Sequence, residues 1–399
     1  MAINIQNLID QITAKAAVAD SSMDTDYLLT LSKAVLAMNQ SSGVIEYKQR
    51  EYLPDVDSSH LGSFAFIRSG IDLDGVYGDS YGAFFYAARV GSRDSAWDRI
   101  KTGVDSDAEN PFVGTSFGYV SGGEIAAGPG SNVIDKFSFS VDANATDVGD
   151  LTQDRENIAG NSSSTHGYSS GGATPTRVTT IDKFPFVIDE NATDVGDLTV
   201  TKDLHAGQSS STHGYTSGGS TPARTNIIDK FPFSVDANAA DVGNLTNSIN
   251  GPWGNSSNDN GYTSGGSIPP FTNVIDKFPF STDANATDVG DLTVSRYTAS
   301  GQNSSTHGYA SGGNPSSNVI DKFTFSSDAN ATDVGDITQN SQETIGVSSS
   351  TDGYVAGGFI PGVGHLNNIE KFPFSADTNS TDTTDLTVAR SGGAGQQVL

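Results

Sequence analysis

The sequence predicts a mainly-β chain whose larger part closes into a six-bladed β-propeller, and three observations predict it. One turn motif recurs six times, as Phe117-Gly118-Tyr119 through Gly122-Gly123 and its five later copies; its tyrosines, Tyr119, Tyr168, Tyr215, Tyr262, Tyr309 and Tyr354, are 49, 47, 47, 47 and 45 residues apart. Each copy leads into an Ile-Asp-Lys-Phe-like run and then an Asn-Ala-Thr-Asp-Val-Gly-Asp-Leu-Thr-like corner, enough for four short strands, which is the content of a propeller blade. Finally, the chain end Arg390 to Gln396 lines up with Arg296 to Gln302, the lead-in of the fifth copy, whereas the first copy has Pro111-Phe112-Val113-Gly114 there. The tail is therefore predicted to supply the first blade's missing strand, which removes the exposed sheet edges of an open array. An open β-solenoid with a ragged end is the alternative.

Taken in order, residues 1–42 predict a helical anchor. Ile5, Leu8, Ile9, Ile12 and Ala16 form one apolar stripe over residues 3–18, and Tyr27, Leu28, Leu31, Val35 and Met38 form another over 26–38, with Ser21, Ser22, Asp24 and Thr25 placed to cap the second helix. Two such short helices dock on each other, on a second copy or on a larger partner. Residues 43–106 read as a small β-module and linker, with strands at Ser63 to Ile67 and Ala83 to Ala87. Residues 107–399 are the propeller. Within its repeat Ile228, Lys230 and Pro232 alternate with Asp229, Phe231 and Phe233, the period-two pattern of a strand. The Gly-Gly pairs and Asp- and Asn-rich corners are turn chemistry.

The spacings locate the variation. From the Phe of Asp-Lys-Phe to the Gly-Asp corner the distance is 13 in every copy, and from that corner to the next Tyr it is 18. Only the segment from Gly-Gly to Phe varies, at 14, 12, 12, 12, 10 and 14 residues. Length changes confined to one connection of each repeat land on one face of a stacked architecture. The binding candidates are non-repeating residues on and around that face: Arg177, Arg224, Phe271, Phe359, His365 and Trp253, the last standing where Ala206 and Ser300 stand in neighbouring repeats. Aromatic and Arg side chains on a shallow surface suit contact with glycan or protein; unconstrained drift of the loops is the alternative.

The repeat resembles that of kelch-type propellers, which also carry a second strand ending in Gly-Gly, a third with an aromatic, and a fourth followed by Arg, as at Arg155, Arg296 and Arg390. That resemblance implies a binding face at the connections between second and third strands. The head segment is similar to N-terminal modules of tailed-phage virion proteins, especially marine cyanophage ones, in its Ile-x-x-Leu-Ile-x-x-Ile start, its Tyr27 to Leu36 helix, Tyr52-Leu53-Pro54 and Trp97-Asp98-Arg99-Ile100. The Ser-Ser-Thr-His-Gly-Tyr repeats also look like those of phage fibres. The resemblance implies a homo-oligomeric virion protein that joins other virion proteins through residues 1–106 and meets a host-surface glycan or protein through the propeller. A protein-interaction scaffold, or a kelch-like oxidase or sugar-processing enzyme, are the alternatives.

Charge and composition narrow the chemistry. The 399 residues hold 21 Lys plus Arg against 47 Asp plus Glu, a net charge of −26, and no cysteine. A phosphate backbone would be repelled, so no nucleic-acid partner is expected, and disulfides and thiolate metal sites are ruled out. Neither a signal peptide nor an apolar run of about 18 residues is evident, so no membrane insertion is expected. His166, His213 and His307 share one turn position with Phe117, Asn260 and Asp352, which points to turn packing, since a catalytic set is local rather than periodic. The Asp-x-Asn-x-Thr-Asp corners are oxygen-rich but lack the spacing of a helix-loop-helix calcium site; turns capped by Asx side chains account for them, with calcium as the alternative. Asn144, Asn191, Asn285, Asn330 and Asn379 lie in glycosylation-type triplets, which without a signal peptide imply no glycan. The expectation is a chain with no enzymatic activity, no cofactor and no bound metal.

Overall fold

A computed structural model describes residues 114–126, 128 and 130–397, together with the strands at 44–47, 64–67, 83–87 and 97–100. The chain divides into two compact units, residues 1–108 and 109–399. In the first, β1 (Val44–Tyr47), β2 (Phe64–Ile67), β3 (Ala83–Ala87) and β4 (Trp97–Ile100) form one sheet in that order, with β1 parallel to β2 and the other pairs antiparallel. The helices expected over 3–18 and 26–38 lie outside the described residues.

The second unit is the predicted six-bladed propeller. Blade 2 shows the pattern: an inner strand Ala159–Ser162, then His166–Ser170, Thr180–Pro185 and an outer strand Thr193–Asp197, each antiparallel to the next. Blades 3 to 6 begin with inner strands Ala206–Ser209, Trp253–Ser256, Ser300–Asn303 and Ile345–Ser348. In blade 1 the inner strand is Ala394–Gln397, from the chain end, antiparallel to Phe117–Ser121. This is the expected closure, and it leaves no blade without an inner strand.

Packing between blades explains why the motif is what it is. Each motif tyrosine stacks on the second phenylalanine of the next blade's Phe-x-Phe: Tyr168 on Phe233 at 4.8 Å between centroids, Tyr215 on Phe280 at 4.8 Å, and, across the closure, Tyr354 on Phe139 at 5.0 Å. The first phenylalanine of the pair lies tilted against the same tyrosine, as Phe231 does against Tyr168. The glycine before each tyrosine makes room for that ring, since a Cβ on Gly214 would lie 2.3 Å from Phe231 Cζ. Burying rings of this size stabilises by about 1.5–3 kcal/mol each.

Polar motif residues serve the same contacts. The corner asparagine of one blade accepts the backbone N–H at the end of the preceding blade's outer strand, from Asn191 with Asp150 N (3.1 Å) around to Asn144 with Asp385 N (3.2 Å). The motif lysine pairs with the corner aspartate of the next blade all round the ring, for instance Lys136 with Asp189 at 2.9 Å and Lys371 with Asp142 at 2.9 Å. The motif aspartate is buried and accepts hydrogen bonds from the threonine that ends the preceding blade's corner, as Asp182 does from Thr152 N and Oγ1. The arginine after the fourth strand reaches this same carboxylate: Arg155 meets Asp182 at 2.5 Å with both side chains fully buried.

Candidate functional site

Antiparallel blades place the second-to-third connections and the links between blades on one rim, and the hairpins within each blade on the other. The length-variable segments therefore share a rim, and their tips project there: Pro175, Pro222, Pro269, Pro270, Pro315 and Pro361 are exposed. Val363, three-quarters exposed, stands beside Pro361 at the tip of blade 6. The ring is entered on the opposite rim, where Gly114 N donates to Ser348 O at 2.8 Å.

Arg177, Arg224 and Phe271, expected as non-repeating residues, in fact follow the repeat in position. They share one loop position, and each reaches the link into the next blade. Arg177 Nε donates to Asp203 at 2.7 Å, Arg224 Nε to Asn250 at 3.2 Å, and Phe271 packs on Tyr297 at 4.7 Å between centroids. Asp203, Asn250 and Tyr297 are themselves equivalent, so a conserved geometry carries changing chemistry. Arg224 keeps its side chain exposed, whereas Arg177 is only a third exposed. Phe359 and His365 face each other across the blade 6 hairpin, 5.3 Å between ring centroids.

Trp253 is the one candidate that is not displayed. It opens the blade 4 inner strand, is 4% exposed, and packs against Tyr262, with the Arg296 guanidinium 5.8 Å over its ring. Its size fills the space that an alanine or serine leaves at the same position elsewhere. The turn histidines bond locally: His166 Nδ1 shares a 2.8 Å hydrogen bond with Thr165 Oγ1, and His213 and His307 repeat it.

Two features of the rims escaped the sequence. One is the mouth of the central channel on the variable rim. Asn157, Leu204, Gly251, Thr298, Glu343 and Gly392, one per blade, all have φ between 50° and 66°. Each donates its N–H to the carbonyl of the one before, at 2.7 to 3.0 Å, closing a ring of six hydrogen bonds. Side chains at such φ cost about 1–2 kcal/mol each in a left-handed conformation, so four blades hold strain that glycine relieves in the other two. Below the mouth the glycines of the inner strands come together: a Cβ on Gly207 would lie 2.2 Å from Gly160 O, and one on Gly395 2.0 Å from Gly346 O. Three carboxylates, Glu124, Glu156 and Glu343, gather near the mouth at the closure seam, and burial with their mutual repulsion pushes Glu156 up to about 7.

The other feature is an apolar arc on the opposite rim. Val141, Val187, Ile188 and Val235 are more than half exposed on the outer hairpins of blades 1 to 3, where blades 4 to 6 carry Thr282, Ser327 and Ala376. Among the described residues no group of three or more His, Cys, Asp or Glu is arranged to hold a metal ion, and no helix is long and apolar enough to cross a membrane. The corner oxygens weighed for calcium include the Asn Oδ1 atoms already bound to backbone N–H groups between blades. No family model and no curated protein matches this chain.

Proposed function

We propose that this chain is a non-enzymatic virion structural protein, a phage fibre or surface appendage, whose residues 1–106 join the particle and whose propeller meets a host-surface glycan or protein through the variable rim. The observation that carries the reading is the confinement of length change to one rim of a ring whose repeated side chains are otherwise taken up by contacts between blades. Mutable loops on a closed, rigid ring suit recognition, because their change leaves the scaffold's packing untouched. Gly114, where the described ring begins, lies on the rim away from those loops.

An interaction scaffold within a larger assembly is a second reading, favoured by the apolar arc of Val141, Val187, Ile188 and Val235, which gives the ring another distinct surface. The test joins composition and binding. Mass spectrometry of purified particles is expected to find the chain, and particles carrying Arg224→Ala with Val363→Asp are expected to adsorb to host cells several-fold more slowly while the isolated protein melts unchanged. A chain absent from particles sinks the virion reading. Unchanged adsorption moves recognition off this rim.

A further inference from the structure

Four buried cation–carboxylate pairs link neighbouring blades, and one differs in kind. Arg155–Asp182, Arg296–Asp321 and Arg390–Asp135 join at 2.5, 3.0 and 2.5 Å, and Lys202–Asp229 at 3.0 Å, every side chain fully buried. The three arginines also donate to backbone carbonyls: Arg155 Nη1 to Gly171 O and Thr180 O, Arg296 Nη1 to Val319 O, Arg390 Nη1 to Val133 O. Lys202 Nζ has no partner besides Asp229 Oδ2, and that oxygen none besides Lys202. In the other five blades a threonine backbone N–H holds the carboxylate, from Thr152, Thr246, Thr293, Thr338 and Thr387. Thr199 offers only its hydroxyl, to Oδ1. Nitrogen and Oδ2 are thus in contact, each the other's one polar partner among the described residues.

An ammonium whose one polar partner is a carboxylate oxygen is costly to keep charged in the interior, and transfer of one proton leaves a neutral amine beside a neutral acid. Burial lowers the Lys202 pKa, against the opposing pull of Asp229 and then Asp241. An arginine cannot respond in this way, because its guanidinium stays charged. We infer that Lys202 and Asp229 form an intramolecular isopeptide bond. The Nζ lone pair attacks Cγ of the protonated carboxyl, the Nζ–Cγ bond forms and the Cγ–Oδ2 bond breaks. Oδ2 leaves as water, taking the acid proton and one amine proton, so neither oxidant nor co-reactant is needed. Fixed contact between the reacting groups supplies the high effective concentration that such a condensation requires.

His205, three residues on, is the proton carrier at hand. It is buried, and burial followed by the Lys202 charge holds its pKa well below the usual range. Its ring and the Lys202 carbonyl crowd the same side of Gly171, 2.7 and 2.6 Å from where a Cβ would stand.

Intact-mass spectrometry of the full-length protein, folded and held at neutral pH, is expected to read one water less than the sequence requires. Tandem spectra after proteolysis should join the Lys202 and Asp229 peptides. Lys202→Arg, which installs the pairing of the sibling blades, should keep the fold and restore the full mass; His205→Ala should slow the loss of water. A wild-type chain that keeps its full mass on prolonged incubation, or a lost water that maps to any other residue pair, overturns the proposal.

Discussion

Side chains at the repeat positions meet neighbours one blade away, so their effects divide by burial rather than by charge. Arg155 and Lys183 are both cations bound to aspartates of a neighbouring sheet. Arg155 and Asp182 are fully buried, whereas Lys183 and Asp236 are 20% and 56% exposed. Removing one partner of a buried pair strands the other charge and costs about 3–5 kcal/mol, against less than about 1 kcal/mol for an exposed pair. Arg155→Ala is therefore expected to lower the melting temperature sharply and Lys183→Ala hardly at all, as calorimetry of the two variants would show. Glu156 predicts a pH effect. Its pKa is raised from 4.5 to about 7 by burial first, then by Glu124, Glu343 and Asp203, the last paired with Arg177. A carboxyl raised on folding contributes stability that is full below its unfolded value and lost as pH climbs through its folded one. The melting temperature should accordingly rise between about pH 8 and about pH 5 more in wild type than in Glu156→Gln; equal pH profiles would remove Glu156 as the cause.

At the scale of the element, the inner strands decide whether the ring exists. They touch through glycine, and a methyl group on Gly207 has no flexible side chain to displace, only the Gly160 carbonyl at 2.2 Å. Gly207→Ala is expected to cost on the order of 3 kcal/mol by forcing backbone shifts, measured by chemical denaturation. The inner strand Ala394–Gln397 carries an additional burden because it alone comes from the far end of the chain. Gln396 Nε2 donates to Tyr168 O at 3.1 Å and to Ser121 Oγ at 3.0 Å, and Arg390 holds Asp135. Deleting residues 390–399 removes this strand, a buried ion pair and the blade 1 to blade 2 contact together. A large fall in melting temperature and loss of monodispersity are expected; a truncated chain that melts like the whole would contradict closure by the tail.

At the scale of the molecule, residues 109–399 form a compact unit with its own core. Expressed alone, this segment is expected to fold to a monodisperse β-protein, with circular dichroism and light scattering as the check, and to be missing from assembled particles under the reading proposed above. Normal incorporation of the shortened chain would place the attachment within the ring itself.

Blade number, blade length and closure were legible in the sequence, because each blade repeats the same local problem and an insertion tolerated only between Gly-Gly and Phe marks the one connection outside the strand pairing. What the linear text could not carry was partnership. Asp182 reads as one more polar residue in a strand until folding brings Arg155 and Thr152 to it. Arg177 and Arg224 look free until the next blade's link places Asp203 and Asn250 within reach, and Trp253 looks displayed until the strand's pleat turns it inward. The left-handed ring at the channel mouth is likewise invisible locally, since Asn157, Leu204, Thr298 and Glu343 share no residue type and adopt one conformation only because six links must close on each other. Repetition dictates the element within a blade; the circle decides which side chains meet, because every such contact spans two blades and depends on the angle at which the ring closes.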